Sequence, residues 1–563
     1  MRLPLKDRPA PLFFLAAAVF IILAIIGGIR SYSPVPYADM WDGYLNFFFR
    51  IHEGEWSAWW SQHNEHRILL ARIFFWLDLY FFNGNGWFLI LVNYMLVGIS
   101  CLVFTLALRE KTRDLWPVLF VTTILFSWTQ HENLAWGFQS QFIMAQLIPL
   151  SAFYCLHRSA TPEKKTNSAF MLAVTLGLAS IATMANGILT MPLMTLLAMI
   201  LRMSWKRCGI LLGSSIVTLL AYFYDYKAPE NHGSLIQSIT ELPVQVLKYI
   251  ALYIGSPIFY ILGQNSFGFM TALSCGFLLI FLSLYAAYKE IKSTNKSTLN
   301  LSLLTFILYI GGTALGTAGG RLIFGLNQSL SSRYCTPSLM AWSALVVIFV
   351  NHFKKLNYFN VQRPWLLFAL MIAIMLPYQT SALSPRTGIL YERLVASLAL
   401  ELNAADRRQI TAAYPFPDWV IAFAPKPSEL NLSIFGLPPI KDARERLNAP
   451  APTRSASSPN IGSVDAMYLI PDDPRFIGMR GWFFDREAKR TPEMVEFVNQ
   501  DGLVVGLALT GQPRADVAAQ VDPQAARSGF KGYLLSSALG QTVELRDSQG
   551  RPGFSIQLPT VRQ

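Results

Sequence analysis

Long apolar segments fill the first 380 residues of the chain, and short polar runs separate them. Each segment approaches the roughly 20 residues that an α-helix needs to cross the hydrocarbon of a bilayer. The pattern therefore predicts an α-helical polytopic membrane protein with about 11 transmembrane helices. The predicted core segments are 11–30, 87–108, 115–130, 139–157, 168–184, 187–203, 208–224, 268–288, 299–318, 335–352 and 364–380.

Basic residues cluster in six short runs between these segments. The runs are Arg2/Lys6/Arg8, Arg109/Lys111/Arg113, Arg158/Lys164/Lys165, Arg202/Lys206/Arg207, Lys289/Lys292/Lys296 and Lys354/Lys355/Arg363. The positive-inside rule places such runs in the cytoplasm. If all six lie inside, the number of spans is odd, the N-terminus is cytoplasmic and the C-terminus lies outside. Two further apolar stretches, 68–82 and 246–263, must then be interfacial or re-entrant.

Composition agrees with this class, since 53% of the 563 residues are hydrophobic and only 14% are charged. The net charge of +12 is explained by the cytoplasmic basic runs and does not call for nucleic acid. The expected location is the bacterial inner (cytoplasmic) membrane, with a periplasmic or otherwise extracytoplasmic C-terminal domain. The five cysteines have no metal-ligand spacing and read as single buried thiols.

After residue 380 the composition changes. Residues 381–463 form a mixed connecting region that ends in a Pro/Ser/Ala-rich linker, and 464–563 hold short β-type runs between turn signals. Such runs predict a soluble all-β domain, a β-sandwich of about 100 residues. It contains no cysteine, so disulfides do not stabilise it. We expect this module to fold when it is expressed alone from about residue 464.

The first predicted outer loop carries two acids, Asp39 and Asp42, which share one face of a helix or turn because they lie three residues apart. The neighbouring Tyr37, Trp41 and Tyr44 can desolvate a carboxylate, which raises its pKa and makes it a usable proton acceptor. The competing interpretation is that Asp39 only caps the following helix.

The same loop continues with His63, Glu65, His66 and Arg67, which are candidate substrate-binding residues. Metal ligation by side chains of this loop is chemically feasible, although their spacing matches no standard ligand pattern. No cofactor is therefore certain, and a divalent metal remains open. The candidate ligands are Asp39, Asp42, His63 and His66.

In the second outer loop His131 and Glu132 lie beside a Trp- and Phe-rich turn. The aromatic residues are also typical of an ordinary interfacial belt. Gln139 and Gln141 enter the next span and are expected to line a cavity, because polar side chains within a membrane helix rarely face lipid. His131 and Glu132 are therefore further candidates for substrate binding.

The last cluster places Arg321 and Arg333 at the outer ends of two apolar segments, with Tyr334 beside the second. Arginine is disfavoured on the outer side by the positive-inside rule and needs a partner there. A phosphate or diphosphate of a lipid fits, since guanidinium binds phosphate oxygens with two parallel hydrogen bonds. The alternative is snorkelling to ordinary head groups.

Three motifs together resemble the GT-C superfamily of polyprenyl-phosphate-sugar-dependent glycosyltransferases: Ala38-Asp39-Met40-Trp41-Asp42, the segment His131–Gln139, and Ser332-Arg333-Tyr334. The likeness covers about residues 11–380. In that superfamily a first-loop acid is the base that activates the acceptor hydroxyl, which implies this role for Asp39 and makes Asp42 the second candidate. The spacing Asp-Met-Trp-Asp departs from the adjacent acidic pairs common in the family. Residues 481–530 look like a β-sandwich accessory module of bacterial cell-surface glycan enzymes.

The resemblance implies a polyprenyl-phosphate-linked sugar as donor, a glycan or lipid as acceptor, and membrane lipids as surroundings. No nucleotide-binding glycine motif is present, in agreement with a lipid-linked donor. Three other functions remain open. A transporter or flippase would carry its ionisable residues near the midplane, an acyltransferase for surface glycans would use His66 or His131 as its base, and a glycan assembly or export factor would catalyse nothing.

Overall fold

The structure is a computed structural model that describes residues 9–161, 166–228, 233–355, 365–384, 386–453 and 460–560. The chain divides into two compact units. The first, called the helical unit here, consists of Met1–Tyr32, Gly54–Phe74 and Trp87–Pro385. The second, called the mixed unit, consists of Ser33–Glu53, Phe75–Gly86 and Arg386–Gln563.

Helices account for nearly all of the helical unit. In chain order the helices of both units are α1 (Ala10–Arg30), α2 (Phe47–His52), α3 (Leu69–Phe82), α4 (Trp87–Arg109), α5 (Trp116–Leu125), α6 (His131–Ala135), α7 (Ser140–Ala160), α8 (Thr166–Ser180), α9 (Thr190–Ile200), α10 (Trp205–Phe223), α11 (Leu235–Glu241), α12 (Pro243–Ile261), α13 (Ser266–Lys292), α14 (Thr298–Arg321), α15 (Cys335–Lys355), α16 (Trp365–Gln379), α17 (Thr387–Glu401), α18 (Arg407–Ile410), α19 (Pro417–Phe423), α20 (Pro425–Glu429), α21 (Ala443–Arg446) and α22 (Ala515–Gln520).

Eight helices within the described ranges are long and apolar enough to cross a membrane, judged by length and composition. Large apolar side chains on their surfaces support this, because such patches are stable in lipid but not in water. In α13, for example, Phe281 is 64% exposed and Leu284 is 66% exposed. The prediction of a multi-pass helical membrane protein is therefore confirmed. The eight candidates are Ala10–Arg30, Trp87–Arg109, Trp205–Phe223, Pro243–Ile261, Ser266–Lys292, Thr298–Phe324, Ser332–His352 and the range Trp365–Glu401, which contains both α16 and α17.

The predicted number of about 11 spans is higher than these eight. The predicted spans 115–130, 168–184 and 187–203 become α5, α8 and α9, with 10, 15 and 11 residues. Helices of that length rise about 15–22 Å, which is less than the roughly 30 Å of hydrocarbon. The predicted spans were longer than these helices because apolar residues of the adjoining turns were counted as part of each span. The predicted span 139–157 forms α7, a 21-residue helix that buries several polar side chains and is not among the eight.

One assignment differs from these candidates in the other direction. Residues 246–263 were predicted to be interfacial or re-entrant, yet α12 is a continuous helix of 19 residues and one of the eight candidates. The other stretch, 68–82, forms α3 with 14 residues, which is short for a span. If α12 crosses the membrane, the number of crossings changes, so the sidedness of the loops remains a prediction.

The C-terminal part of the mixed unit is an all-antiparallel β domain, as predicted. Its seven strands form one continuous sheet with the order β1-β2-β5-β4-β3-β6-β7, rather than the two separate sheets of a sandwich. Register shifts in β1, β4 and β6 bend the sheet. The strands are β1 (Asn460–Leu469), β2 (Phe476–Asp485), β3 (Met494–Val498), β4 (Val504–Gln512), β5 (Gly529–Leu535), β6 (Thr542–Asp547) and β7 (Pro552–Gln557).

The bend brings the two edge strands of the sheet near each other. The side-chain amide of Asn460 on β1 donates to the carbonyl of Arg551, next to β7, at 3.0 Å. A side chain at Gly462 on β1 would collide with the ring of Phe554 on β7. The inner face holds a single apolar core that includes Met479 and other residues of 0% exposure. One curved sheet therefore encloses the core that two packed sheets enclose in a sandwich.

The connecting region packs against this β domain inside the mixed unit. The Tyr391 hydroxyl on α17 donates to the carbonyl of Leu509 at 2.8 Å. Lys531 on β5 donates to both carboxylate oxygens of Glu392, at 2.7 and 2.6 Å. Residues 448–451 add backbone hydrogen bonds to residues 502–504. The first half of the expected linker is therefore ordered, whereas residues 454–459 lie outside the described ones.

We expect fragment 386–563 to be more stable than fragment 464–563, although both should fold. The shorter fragment loses the start of β1 and every contact made by α17, including two hydrogen bonds to the buried Lys531. Chemical denaturation followed by circular dichroism would compare the two midpoints. An unfolded spectrum for fragment 464–563 would contradict the prediction that this module folds alone, and equal midpoints would contradict the role given to α17.

Candidate functional site

The two first-loop acids occupy consecutive turns of the mixed unit. Asp39 lies in the 3₁₀ turn Ala38–Met40, and Asp42 lies in the π-helical turn that follows. Neither turn has a side-chain cap, so the interpretation of Asp39 as a helix cap is wrong. Ala38 adopts a φ of 46° and donates its N–H to the carbonyl of Ala413 at 2.9 Å. This bond holds the acidic turn beside the connecting region.

Tyr414 follows directly after this anchor and interacts with both acids. Burial raises the pKa of its phenol above the ordinary value, and the negative charges of Asp42 and Asp39 raise it further. The phenol therefore stays protonated and remains a hydrogen-bond donor at any physiological pH. The structure thus adds a neutral donor to the acid pair, from a position about 370 residues further along the chain.

A buried carboxyl fixes the segment after the acid pair. The Tyr44 hydroxyl donates to Oδ2 of Asp78 at 2.6 Å, and the Gly86 N–H donates to the same oxygen at 3.1 Å. Asp78 is fully buried, and burial raises its pKa to about 6, against the opposing effect of these two hydrogen bonds. The anchor of the first loop is therefore a carboxyl group that is protonated in mildly acidic solution.

The raised pKa of Asp78 predicts a pH-dependent stability. The folded state disfavours the charged form of Asp78. The contribution of this group to the free energy of unfolding is therefore largest below its unfolded pKa of about 4 and is lost as the pH rises to about 6. Asp78→Asn should abolish this pH dependence, which amounts to about 3 kcal/mol in the free energy of unfolding. Unfolding of the detergent-purified protein at pH 4–7 would measure it, with the exposed Asp501→Asn as control. An unchanged pH profile in Asp78→Asn would contradict the prediction.

In the helical unit, Glu65 joins two other candidates. Its Oε1 lies 3.1 Å from Nη2 of Arg321 and 3.5 Å from Nε2 of His66. Nδ1 of His66 accepts the N–H of Ala185 at 3.2 Å, so the ring proton of neutral His66 resides on Nε2 and points to Glu65. Arg321, expected to seek a phosphate, therefore already has a carboxylate partner at the end of α14.

Two further residues of the same loop have structural contacts. Arg67 is 4% exposed and donates to the carbonyls of Trp60, Tyr222 and Tyr224. These contacts occupy donors on all three guanidinium nitrogens and favour a structural role for Arg67 over substrate binding. His63 pairs with His66 through backbone hydrogen bonds of 2.8 and 2.9 Å, which close the loop.

Arg321 and Arg333 approach one buried hydroxyl. Tyr249 on α12 lies within electrostatic range of both guanidinium groups and of Tyr334. Its side chain is 0% exposed, and its hydroxyl has no hydrogen-bond partner among the described residues. Such a group is costly to bury unless something binds it. Tyr249, Arg321, Arg333 and Tyr334 are called the arginine–tyrosine cluster below.

Aromatic rings surround the second arginine of this cluster. The Arg333 guanidinium lies 5.6 Å from the ring centroid of Tyr334 and 5.8 Å from that of Phe142. Tyr334 in turn packs on Tyr253, with centroids 4.8 Å apart. Cation–π contacts of this kind orient a guanidinium without neutralising its charge. The Arg333 guanidinium is therefore oriented by the rings of Tyr334 and Phe142.

The segment that begins with His131 and Glu132 is attached to the loop of Arg333. Glu132 donates its N–H to Oγ of Ser332 at 3.1 Å, and the Asn133 amide donates to the carbonyl of Arg333 at 2.9 Å. His131 is 7% exposed and packs on the ring of Tyr260. Two of the motifs that carry the sequence resemblance thus lie together in the helical unit.

The predicted metal ligands are distributed over both units. Asp39 and Asp42 belong to the mixed unit, and His63 and His66 belong to the helical unit. Both ring nitrogens of His66 already face protein atoms, the Ala185 N–H and the Glu65 carboxylate. His66 would have to give up one of these contacts to bind a metal. Metal binding by this set remains a prediction.

Sequence reasoning missed Tyr249, Tyr253 and Tyr414. The first two lie in α12, which was assigned to the interface and therefore received no attention as part of a membrane helix. Their signal was a pair of tyrosines four residues apart, on one helix face, within an apolar run. Tyr414 stands in Tyr-Pro-Phe-Pro-Asp-Trp, an aromatic and proline-rich segment unusual for a connecting region.

Comparison with known proteins gives similarity at the level of structure. No protein-family model matches the chain, and no curated protein matches it. Among solved structures, the chain is similar to the archaeal oligosaccharyltransferase AglB from Archaeoglobus fulgidus, in complex with an inhibitory peptide and a dolichol-phosphate. The match covers 65% of this chain and 55% of that chain, with 13% sequence identity and a TM-score of 0.39.

The chain spans about half, 55%, of the length of that oligosaccharyltransferase. A TM-score below 0.5 carries no conclusion about substrates or residue roles. The function proposed below therefore rests on the residues of this chain.

Proposed function

We propose that this chain is an integral membrane glycosyltransferase that moves a sugar from a polyprenyl-phosphate donor to a glycan or lipid acceptor at the outer face of the membrane. The observation that carries the proposal is the arginine–tyrosine cluster. Two guanidinium groups lie within electrostatic range of one buried hydroxyl that has no partner among the described residues, in a unit whose helices are suited to lipid. An anion with an apolar tail satisfies all of these groups at once.

The donor phosphate would bind through Arg333 and the Tyr249 hydroxyl, with Arg321 as a second cation. Bidentate guanidinium contacts stabilise the negative charge that develops on the leaving phosphate. Glu65 holds Arg321 at 3.1 Å in the absence of donor and prevents an unpaired charge at the end of α14. Phosphate binding would then exchange one anionic partner of Arg321 for another.

The acid pair would serve the acceptor. Asp39 takes the proton of the acceptor hydroxyl while the oxygen attacks the anomeric carbon of the donor sugar. The new bond joins the acceptor oxygen to that carbon, and the bond from that carbon to the phosphate oxygen breaks. The polyprenyl phosphate leaves with the electron pair. Asp42 and the neutral Tyr414 phenol position the acceptor hydroxyl, because one accepts and the other donates hydrogen bonds.

The experiment that tests the proposal is transfer in proteoliposomes. Purified protein is mixed with polyprenyl-phosphate sugars carrying a radiolabel and with an outer-membrane glycan extract as acceptor. Label should move to the acceptor, with release of polyprenyl phosphate in equal amount. Absence of transfer from every donor, with the protein folded and the donor bound, would overturn the proposal.

A flippase or transporter is the second candidate, because one helix buries polar groups that find no partner. The side-chain carbonyl oxygens of Gln141 and Gln146 on α7, and of Gln139 just before it, accept no hydrogen bond from any described residue. Buried polar groups inside a membrane bundle are typical of a substrate path. Movement of labelled lipid-linked sugar across proteoliposomes, without formation of a product, would favour this function.

The orientation predicted from the basic runs has its own test. A reporter fused after Lys296 should lie in the cytoplasm, and a reporter fused after Pro459 should lie in the outer compartment. Dual alkaline phosphatase and fluorescent protein fusions would measure both positions. A cytoplasmic signal at residue 459 would contradict the expectation that transfer occurs at the outer face. Residue 459 itself lies outside the described residues.

A further inference from the structure

Two aromatic side chains of the mixed unit are presented to solvent next to the acid pair. Phe416 is 64% exposed and Trp419 is 37% exposed. Both pack on Tyr414, with ring centroids 5.7 and 5.5 Å apart. Tyr414 is the residue whose phenol interacts with Asp39 and Asp42. The Ala38 N–H also donates to the carbonyl of Ala413, so the acidic turn lies next to the segment that carries the exposed rings.

This segment is rigid. Phe416 stands between Pro415 and Pro417, whose rings fix two backbone φ angles, and Pro417 begins α19. Trp419 stacks on Phe423 with centroids 4.9 Å apart and an angle of 15° between the rings. A side chain held in this way loses little conformational entropy when it binds a ligand. An exposed phenylalanine without a ligand would only expose apolar area to water.

We propose that Phe416 and Trp419 form a stacking site for a pyranose ring of the acceptor, called the aromatic platform. This proposal rests on the proposed function, since it names the acceptor side of the same reaction. The apolar face of a pyranose stacks on aromatic rings, while its hydroxyl groups need acceptors and donors at the edge of the stack. Asp39 and Asp42 supply acceptors, and the neutral Tyr414 phenol supplies a donor.

The charges around the platform favour a sugar over the membrane surface. Asp418 lies between the two aromatic residues in sequence and is paired with Arg407, 2.6 Å away. Arg407 also contacts Asp472 at 2.7 Å, so its single positive charge meets two carboxylates. With Asp39 and Asp42 added, the surroundings are acidic and would repel anionic lipid head groups. Neutral, hydroxyl-rich ligands meet no such penalty.

Saturation-transfer-difference NMR on the full-length protein in nanodiscs tests the platform, with methyl β-D-galactopyranoside and methyl α-D-glucopyranoside as probes. Wild-type protein should saturate the ring protons of at least one probe. Phe416→Ala and Trp419→Ala should each lower this effect about two- to tenfold, which corresponds to the loss of one aromatic contact. Phe416→Tyr should retain it, and so should the matched control Trp56→Ala, which removes another exposed ring.

Bromine-labelled lipids distinguish the membrane from a sugar as the ligand. If Trp419 faces water, Trp419→Phe leaves the lipid-quenched part of the tryptophan fluorescence unchanged. Loss of that quenched part, or probe binding that does not depend on Phe416 and Trp419, would overturn the platform. Donor titration distinguishes the platform from the proposed transfer reaction. Loss of probe binding in the variants with unaltered donor affinity supports the platform. Failure of donor binding in wild-type protein contradicts only the proposed transfer reaction.

Discussion

Asp39→Asn is expected to abolish sugar transfer while expression and donor binding stay intact. The substitution removes the proposed base with almost no change of shape, and loss of a general base lowers the rate about 10²- to 10⁴-fold. The 3₁₀ turn itself is held by the backbone bond from Ala38 to Ala413, which the substitution leaves in place. Single-turnover transfer from a labelled donor would measure the effect.

Asp42→Asn should reduce transfer less, because Asp42 is assigned to positioning. The exposed Glu487→Gln is a matched loss of one carboxylate in the same unit and should behave as wild type. Full activity in both Asp39→Asn and Asp42→Asn would remove the first loop from the chemistry.

Arg333→Ala should weaken use of the lipid-linked donor by roughly tenfold to a hundredfold, from the loss of about 1.5–3 kcal/mol in charge-assisted hydrogen bonds. Arg321→Ala should have a similar effect, because it also leaves the Glu65 carboxylate close to the incoming phosphate. Donor titration at fixed acceptor is the measurement. The acceptor dependence should change little.

Lysine at either position should restore only part of the affinity, since an ammonium keeps the charge without the planar fork. Arg113→Ala removes an exposed guanidinium of the same unit at a distance from the cluster and serves as the control. If both alanine variants keep the donor dependence of wild-type protein, the two arginines anchor only to ordinary head groups.

Apolar periodicity was sufficient to predict the class of fold and the seven strands, because each strand has its own alternation and turn signals. The pattern also marked 246–263, now α12, as apolar, but the placement of all six basic runs inside excluded it as a span. The pattern failed for α5, since hydropathy cannot tell an apolar turn from a helix end. Strand order was likewise beyond it, because order depends on contacts between strands that are not consecutive.

The candidate residues were chosen by type, and their partners in the structure were not predictable from sequence. Glu65 and Arg321 are 256 residues apart in sequence, and Asp39 and Tyr414 are further apart still. Local spacing carries no information about such pairs. Local spacing also does not distinguish Arg67, which binds three backbone carbonyls, from Arg333, whose guanidinium lies among aromatic rings.

The mixed unit has a consequence for how the protein is made. Its first segment contains the bond donor Ala38 and also Glu53, which pairs with Lys426 at 2.6 Å, yet these partners are synthesised more than 350 residues later. The acidic turn therefore lacks these contacts until nearly the whole chain has left the ribosome. Chains truncated before residue 386 would lack the partners of the acidic turn, so on the proposed function we expect an incompletely translated copy to be inactive in sugar transfer.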